Sequence, residues 1–279
     1  MRIKGLKSTN PVAVGDEVRF TIPEPEEKGV IQEILPRKNY LLRRAIAHAH
    51  KVHILAANID QAILLFTIDH PETSAGFADR FLVVAEAYHI PAKVLINKID
   101  TIQTDTQKER LATISTTYEQ AGYEVLHVNA LDEFYKPQVA ALLTDKVTFI
   151  GGHSGSGKST LINMIDPKLN IKTAQISDYS NKGKHTTTFA EMHPLATGGY
   201  IIDSPGIKEL GITDFERNEV SHYFPEMRSR LTQCRFNNCT HTSEPHCEIK
   251  KSVAENTISR SRYESYLRIL QDIEDNPRF

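Results

Sequence analysis

Gly152-His-Ser-Gly-Ser-Gly-Lys-Ser-Thr160 is the most informative stretch of this 279-residue chain. It has the pattern Gly-x-x-x-x-Gly-Lys-Ser and stands between the apolar segments 147–150 and 161–162. A glycine-rich turn between a strand and a helix surrounds phosphate oxygens with backbone N–H groups, helped by the positive end of the helix. We expect Lys158 to reach the β- and γ-phosphates and Ser159 to bind Mg²⁺ through its hydroxyl. The pattern predicts a P-loop in a nucleotide-binding domain.

The nucleotide contacts expected from the P-loop follow from this pattern. They are Gly152, His153, Ser154, Gly155, Ser156, Gly157, Lys158, Ser159 and Thr160. Lys158 is also expected to act catalytically, by stabilising charge on the γ-phosphoryl group. A P-loop alone does not choose the base or the reaction, because transport ATPases and kinases also carry one.

Apolar segments alternate with helical ones around the P-loop. The predicted strands are 62–66, 93–96, 124–128, 147–150 and 200–202, and the predicted helices are 78–88, 106–121 and 137–143. The strand Ala-Ile-Leu-Leu-Phe at 62–66 is apolar throughout, as expected for a strand buried on both faces. The rhythm predicts an α/β domain with a parallel sheet covered by helices on both faces.

The segment Asn97-Lys98-Ile99-Asp100 directly follows a predicted strand and is the candidate base-recognition loop. The carboxylate of Asp100 can accept hydrogen bonds from the N1–H and 2-amino groups of guanine. Adenine lacks this pair of donors, so an unpaired acceptor would reject it. Asn97 and Lys98 are expected to support the loop and to cover the plane of the base. The segment therefore favours GTP over ATP.

Two further strand ends are candidates for nucleotide contacts. Asn129 and Ala130 follow the strand at 124–128 and are expected to offer backbone groups to the guanine O6. Asp203-Ser-Pro-Gly206 follows the strand at 200–202. We expect Asp203 on the Mg²⁺ side and the Gly206 amide at the γ-phosphate.

The polar loop Gly183-Lys-His-Thr-Thr-Thr188 is the candidate first switch loop, and a predicted edge strand at 189–192 follows it. A threonine hydroxyl here is expected to cap Mg²⁺ when the γ-phosphate is present. Thr187 is our assignment, with Thr188 and Thr186 as alternatives. His185 is the candidate for orienting the attacking water, because Ile207 follows Gly206 and an aliphatic side chain cannot position water.

The order of these motifs is unusual. In ordinary GTPases the P-loop comes first and Asn-Lys-x-Asp comes late, whereas here residues 97–100 and 129–130 precede the P-loop. The strands can still form one sheet if the domain is circularly permuted, with the old ends joined by residues 132–146. The switch at Asp203 would then lead directly into the C-terminal region.

The C-terminal region contains a candidate metal site. The only three cysteines of the chain lie in the pattern Cys234-x₄-Cys239-x-His241-x₅-Cys247. Three thiolates and one imidazole form a closed tetrahedral zinc set, which is typical of a structural site. His246 is an alternative to His241 as the imidazole. Residues 252–275 repeat apolar positions at three- and four-residue spacings and predict one amphipathic helix.

The remaining composition is that of an ordinary soluble protein. The segments 17–22, 29–35 and 39–44 predict short β-strands at the N-terminus. The net charge is −2, distributed as +4 over residues 1–58, −8 over 59–227 and +2 over 228–279. We found neither a signal segment nor an apolar run long enough to span a membrane, so we expect a cytoplasmic protein without a membrane partner.

The chain resembles the ribosome small-subunit-dependent GTPase A family (RsgA/YjeQ) over nearly its whole length. The permuted order, Gly-Lys-His-Thr-Thr-Thr at 183–188, Asp-Ser-Pro-Gly at 203–206 and the Cys/His tail carry the resemblance. It implies an OB-fold RNA-binding domain at 1–58, a circularly permuted GTPase domain at 59–222 and a small helical zinc domain at 223–279. The three predicted N-terminal strands suggest that the OB-fold β-barrel lacks one or two strands at its front.

The resemblance also implies a function and partners. It implies a hydrolase that converts GTP to GDP in late maturation of the 30S ribosomal subunit, binds 16S rRNA and is stimulated by that subunit. We expect the chain to be a monomer. The resemblance supports His185 as the catalytic residue and selects His241, with Cys234, Cys239 and Cys247, as the ligands of one structural Zn²⁺. Two departures are Ser156, where the family usually has Val, and Asn129, where Ser is usual.

Two other functions remain open from the sequence. The chain could be a GTP-dependent switch that binds a different RNA or ribonucleoprotein. It could also be a P-loop ATPase or kinase, which Asn97–Asp100 opposes. A transport ATPase would in addition carry a Leu-Ser-Gly-Gly string, which the sequence lacks.

Overall fold

The computed structural model describes residues 7–8, 11–23, 28–44, 51–171, 190–203 and 215–275. The strands are β1 Lys7–Ser8, β2 Val18–Thr21, β3 Val30–Ile34, β4 Tyr40–Arg44, β5 Lys51–Ala57, β6 Gln61–Thr67, β7 Ala92–Asn97, β8 Glu124–His127, β9 Val147–Gly152, β10 Glu191–Pro194 and β11 Tyr200–Asp203. The helices are α1 Ala75–Ala87, α2 Asp105–Gln120, α3 Lys136–Leu143, α4 Lys158–Ile165, α5 Pro225–Arg228, α6 Glu248–Ala254 and α7 Arg260–Asp275. No described helix is both long and apolar enough to cross a bilayer.

The centre of the molecule is a six-stranded sheet in the order β10-β11-β9-β6-β7-β8. All neighbouring strands are parallel except β10 and β11 at one edge. Strand β9, which leads into the P-loop, lies between β6 from the earlier part of the chain and β11 from the later part. The motifs before and after the P-loop therefore belong to one sheet, which confirms the predicted α/β fold.

Both faces of this sheet are buried, as the apolar strands predicted. Ala62, Leu64 and Phe66 of β6 pack in one cluster with residues of α1 and α2. The alternating residues Ile63 and Leu65 pack in another cluster with residues of α3 and α4. Side chains alternate between the faces of a strand, so a single strand anchors helices on both sides.

The N-terminal part is β-rich, as predicted. Strands β2 and β3 pair as an antiparallel hairpin, and β1, β5 and β4 form a second small sheet. Strand β5 was not predicted, because residues 45–57 contain no glycine, proline or other turn residue that would mark where a strand begins. Arg37 ties this region together by donating to both carboxylate oxygens of Asp16 at 2.5 and 2.7 Å.

The predicted single helix over 252–275 is wrong. The structure has α6, then a turn in which Asn256 adopts a left-handed conformation with φ of 57°, and then α7. The apolar residues at three- and four-residue spacings, from Tyr263 to Ile273, all lie within α7, so the periodicity did not support extending this helix back to residue 252.

A third hydrophobic cluster lies at the junction between the C-terminal region and α1. We call residues 215–275 the C-terminal unit. Val83 and Ala87 of α1 pack in this cluster with Phe224, Tyr266 and other apolar residues of the C-terminal unit. One helix thus contributes to the core of the sheet and to the core of the C-terminal unit.

Candidate nucleotide site and metal centre

The P-loop lies between β9 and α4, as the sequence predicted. Gly157 precedes α4 with φ of 97°, a conformation that L side chains rarely adopt. A Cβ atom at Gly157 would lie 2.4 Å from the side-chain nitrogen of Asn97. Glycine is therefore required both by the backbone turn and by the close approach of the base-recognition loop.

Lys158 folds back over the P-loop. Its Nζ atom donates hydrogen bonds to the carbonyl oxygens of Gly152, at 2.9 Å, and His153, at 3.1 Å. Burial lowers the pKa of Lys158, and the nearby carboxylate of Asp203 opposes that shift. This arrangement places the ammonium group of Lys158 beside the backbone of the P-loop, where it would stabilise the negative charge of phosphate oxygens.

Asn97 ends β7 and is buried. Its Nδ2 atom donates to the carbonyl oxygen of Ser156 at 2.9 Å, and its Oδ1 atom accepts from the Ala130 amide at 3.0 Å. One side chain therefore connects three predicted nucleotide-binding segments: the base-recognition loop, the P-loop and the loop after β8.

Lys98 and Asp100 follow Asn97 in the base-recognition loop. Lys98 has a left-handed backbone with φ of 62°, and its Nζ atom donates to the carbonyl oxygen of His70 at 2.6 Å. Burial lowers the pKa of Lys98, with Asp100 opposing the shift. Ile99 opens a short 3₁₀ turn, Ile99–Thr101, and Asp100 is exposed at the surface of the loop. The carboxylate of Asp100 is thus accessible to a base.

The loop after β8 holds Asn129 and Ala130, whose contacts with guanine stay predictions. The Ala130 amide already donates to Asn97. The side chain of Asn129 accepts from the Leu131 amide at 3.0 Å and closes its own turn.

The structure brings the described site residues to one edge of the sheet. The P-loop follows β9, the base-recognition loop follows β7, Asn129 and Ala130 follow β8, and Asp203 ends β11. In open α/β sheets, ligands bind at this carboxyl edge. Thr186, Thr187, Thr188, His185 and Gly206 lie outside the described residues, so their assignments stay predictions.

The three cysteines and His241 form a cluster that could hold a metal ion. The candidate ligand atoms of Cys234, Cys239, His241 and Cys247 all lie within 4.8 Å of one another. The Nδ1 atom of His241 faces the sulfur atoms of Cys247, at 3.4 Å, and Cys234, at 3.6 Å. The alternative residue His246 is exposed and does not belong to this group.

The chemistry of the metal centre suits a cation. Burial, together with the neighbouring Cys247 and Cys234 thiols, raises the pKa of the Cys239 thiol to about 12. Burial lowers the pKa of His241, which favours the neutral imidazole that binds metals. Three closely spaced thiols and a neutral imidazole fit a tetrahedral Zn²⁺ site, and a metal would supply the positive charge that thiolates need at this position.

Sequence reasoning missed the residues that surround the metal centre. The hydroxyls of Tyr263 and Tyr266 donate to the carbonyl oxygens of His241, at 2.6 Å, and Thr240, at 2.7 Å. Their spacing on α7 signalled helix packing, and nothing in it signalled these hydrogen bonds. Glu244 closes the turn around His241 by accepting from the Thr240 and Thr242 amides at 2.7 and 3.0 Å.

A buried ion cluster was also missed. Arg262 of α7 is 1% exposed and donates to Asp79 of α1 at 2.7 Å. It also makes a two-pronged contact with Glu226, at 2.7 and 3.1 Å. Burial opposes the charge on Arg262, but the two carboxylates raise its pKa well above the usual value. The pairs are far apart in sequence, so no local pattern could have indicated them.

Comparisons with known proteins agree with this geometry. The family model described as RsgA GTPase matches residues 34–213. A relative from Bacteroides fragilis, named small ribosomal subunit biogenesis GTPase RsgA, is 49% identical over 274 residues, which are 98% of this chain and 88% of the relative.

Two solved structures share the fold. YjeQ from Thermotoga maritima has a TM-score of 0.76 and 32% identity, covering 94% of this chain and 84% of that chain. YloQ, described as a circularly permuted GTPase, has a TM-score of 0.73 and 29% identity, covering 99% of this chain and 86% of that chain. The permuted order read from the motifs is therefore confirmed, and this chain belongs to the RsgA family of GTPases.

Proposed function

We propose that this GTPase acts in late maturation of the 30S ribosomal subunit, binds that subunit and its 16S rRNA as a monomer in the cytoplasm, and hydrolyses GTP faster when bound. The observation that carries the proposal is the bond network of Asn97, which joins a guanine-type loop to a P-loop in a chain that also holds a Cys₃His centre. The Bacteroides fragilis relative is named for small-subunit biogenesis.

The chain's own residues would share the work of hydrolysis. Asp100 selects guanine, while Lys158 and the P-loop amides hold the phosphates and stabilise charge on the γ-phosphoryl group. Ser159, Thr187 and Asp203 would hold Mg²⁺, which supplies further charge neutralisation when bound. Gly206 offers its amide to the γ-phosphate. His185 orients the attacking water.

The N-terminal strands and residues 228–279 would contact rRNA, since the chain is net basic over 1–58 and over 228–279 and acidic between them. Cys234, Cys239, His241 and Cys247 would hold one structural Zn²⁺, which stabilises the fold of a segment poor in aliphatic side chains. The division into domains at 1–58, 59–222 and 223–279 belongs to the same proposal.

The deciding experiment compares GTP turnover with and without purified 30S subunits. We expect slow turnover alone and clear stimulation by 30S subunits, which His185→Ala abolishes. Stimulation by another RNA but not by 30S subunits would favour the alternative, a GTP-dependent switch on a different ribonucleoprotein.

Base selection has its own test. The xanthine base has an oxygen where guanine has its 2-amino group, so Asp100→Asn should exchange the preference for GTP for a preference for XTP. Unchanged selectivity would remove Asp100 from the base site.

A further inference from the structure

Helix α1 contacts the P-loop at its first turns. The ring of Phe77 stacks on the imidazole of His153, with centroids 4.0 Å apart and planes inclined by 28°. Phe81, one turn later, lies against Gly151, where a Cβ atom would come within 2.2 Å of its ring. The strand end and the P-loop that follows it are therefore fitted directly to two aromatic rings of α1.

The same turns of α1 are fixed to the C-terminal unit. Asp79 is fully buried and forms the 2.7 Å ion pair with Arg262 of α7. Arg80 forms a partly exposed ion pair with Asp272, also on α7. Gly76 lies beside Arg268, since a Cβ atom at Gly76 would come 4.0 Å from its Nη1 atom.

Helix α7 in turn holds the metal centre through Tyr263 and Tyr266, which bond the main chain at His241 and Thr240. Arg262 is the residue immediately before Tyr263, so the ion pair with α1 and the bonds to the metal-binding segment start from adjacent positions. A continuous set of contacts thus runs from the metal centre through α7 and α1 to the P-loop.

We propose that α1 couples the C-terminal unit to nucleotide binding, with Asp79 and Phe77 as positioning residues: Arg262 fixes Asp79, and Phe77 fixes His153 in the P-loop. Displacement of the C-terminal unit by a macromolecular partner would then change nucleotide affinity, and nucleotide would change the affinity for that partner by the same factor. The inference rests on the proposed function only in taking guanine nucleotide as the ligand of the P-loop.

The test is a double-mutant cycle on the full chain carrying its zinc, with titration of fluorescently labelled GDP in the absence of ribosomal subunits. Phe77→Leu and Arg262→Lys should each weaken GDP binding by about fivefold, the lower end of typical coupling between sites. The double variant should bind no more weakly than Phe77→Leu alone, because both changes interrupt the same set of contacts.

A softer variant and a matched control complete the design. Arg80→Ala removes a partly exposed pair and should weaken GDP binding by about threefold, within the range of a surface ion pair. If circular dichroism shows that Arg262→Lys does not fold, the GDP affinity of Arg80→Ala decides the test in its place. Arg228→Ala is the control: Arg228 also joins the C-terminal unit to α1, at Glu86, but about 13 Å further along the helix from Phe77. It should leave GDP affinity unchanged.

The inference would be overturned if Arg262→Lys and Arg80→Ala both bound GDP as tightly as the parent chain. It would also be overturned if the losses of GDP affinity in Phe77→Leu and Arg262→Lys multiplied fully in the double variant. A parent chain that binds no guanine nucleotide would instead overturn the proposed function and this inference with it. The two failures are therefore distinguishable in one set of titrations.

Discussion

The side-chain amide of Asn97 donates a 2.9 Å hydrogen bond to the main-chain carbonyl of Ser156. The bond joins the end of β7 to the middle of the P-loop, and the two residues are 59 positions apart. Asn97 also accepts a hydrogen bond from the Ala130 amide. The base-recognition loop and the P-loop are therefore held in fixed positions relative to each other. The structure thereby preorganises the site for a base and its phosphates at the same time.

Replacing Asn97 should damage both stability and nucleotide binding. Asn97→Ala leaves the buried Ala130 amide and Ser156 carbonyl without partners, which costs about 1–3 kcal/mol for each buried group left unpaired. We expect a lower free energy of unfolding in urea and weaker GDP binding by titration. Asn39→Ala is the matched control for GDP binding, since its side chain bonds the main chain of Ile59 in the same two-way manner but in the N-terminal part. Equal effects of the two substitutions on GDP binding would contradict this role of Asn97.

Ser156 carries a buried hydroxyl whose oxygen has no hydrogen-bond partner within the described ranges. Burying an unpaired hydroxyl costs about 1–3 kcal/mol in proteins, so Ser156→Ala should stabilise the chain. A gain of 1 kcal/mol raises the melting temperature by about 2–4 °C in a chain of this size. Differential scanning calorimetry measures it, and a lower melting temperature would mean that the hydroxyl has a partner.

The carboxylate of Glu244 predicts an acid-sensitive contribution to stability. Burial alone would raise its pKa, but hydrogen bonds from the Thr240 hydroxyl and from the Thr240 and Thr242 amides lower the pKa from 4.5 to about 2. A carboxyl with a depressed pKa stabilises the fold above its unfolded-state pKa, and this contribution is lost as the pH falls from about 4.5 toward 2.

Glu244→Gln should therefore lower the free energy of unfolding at pH 7, and the difference from the parent should shrink as the pH approaches 3. Urea unfolding of both chains across this range measures the difference. A difference that stays constant with pH would show that Glu244 acts through shape rather than charge.

We expect Tyr263 to contribute to metal affinity although it is not a metal ligand. Tyr263→Phe removes the hydroxyl that bonds the His241 carbonyl, and loss of one hydrogen bond of about 0.5–1.5 kcal/mol should weaken metal binding by about 2–13-fold. Competition with a chromophoric zinc chelator measures the affinity. Tyr223→Phe, whose ring contacts Phe215 in the same unit, should bind zinc as the parent does. Equal zinc affinities in the two variants would remove this role.

The fold of the GTPase part could be predicted from the sequence because its signals are local. The glycines of the P-loop, the apolar strand 62–66 and the cysteine spacing each report a short-range requirement of the backbone or of a metal. The six-stranded sheet, the P-loop between β9 and α4 and the Cys₃His cluster all agree with those signals.

Two kinds of feature could not be predicted from the sequence: contacts between residues far apart in the chain, and turns set by the dihedral angles of a single residue. Asp79 and Arg262 are 183 positions apart and are ordinary charged residues in their local context. The left-handed turn at Asn256 separates α6 from α7, and neither a glycine nor a proline marks it in the sequence. The sequence of α1 did not indicate that this helix packs against the C-terminal unit, because apolar residues such as Val83 and Ala87 are also found in a helix that covers only a sheet.

Helix α1 packs against both the central sheet and the C-terminal unit, and this has a consequence for biosynthesis. When residues 75–87 leave the ribosome, the segment that covers Asp79, Val83 and Ala87 has not yet been translated. The nascent GTPase part must carry an uncovered apolar stripe and a carboxylate without its guanidinium until α7 emerges. Native packing around α1 is therefore completed only after α7 has been made, so that the GTPase part reaches its final form only once residues 260–275 have been translated.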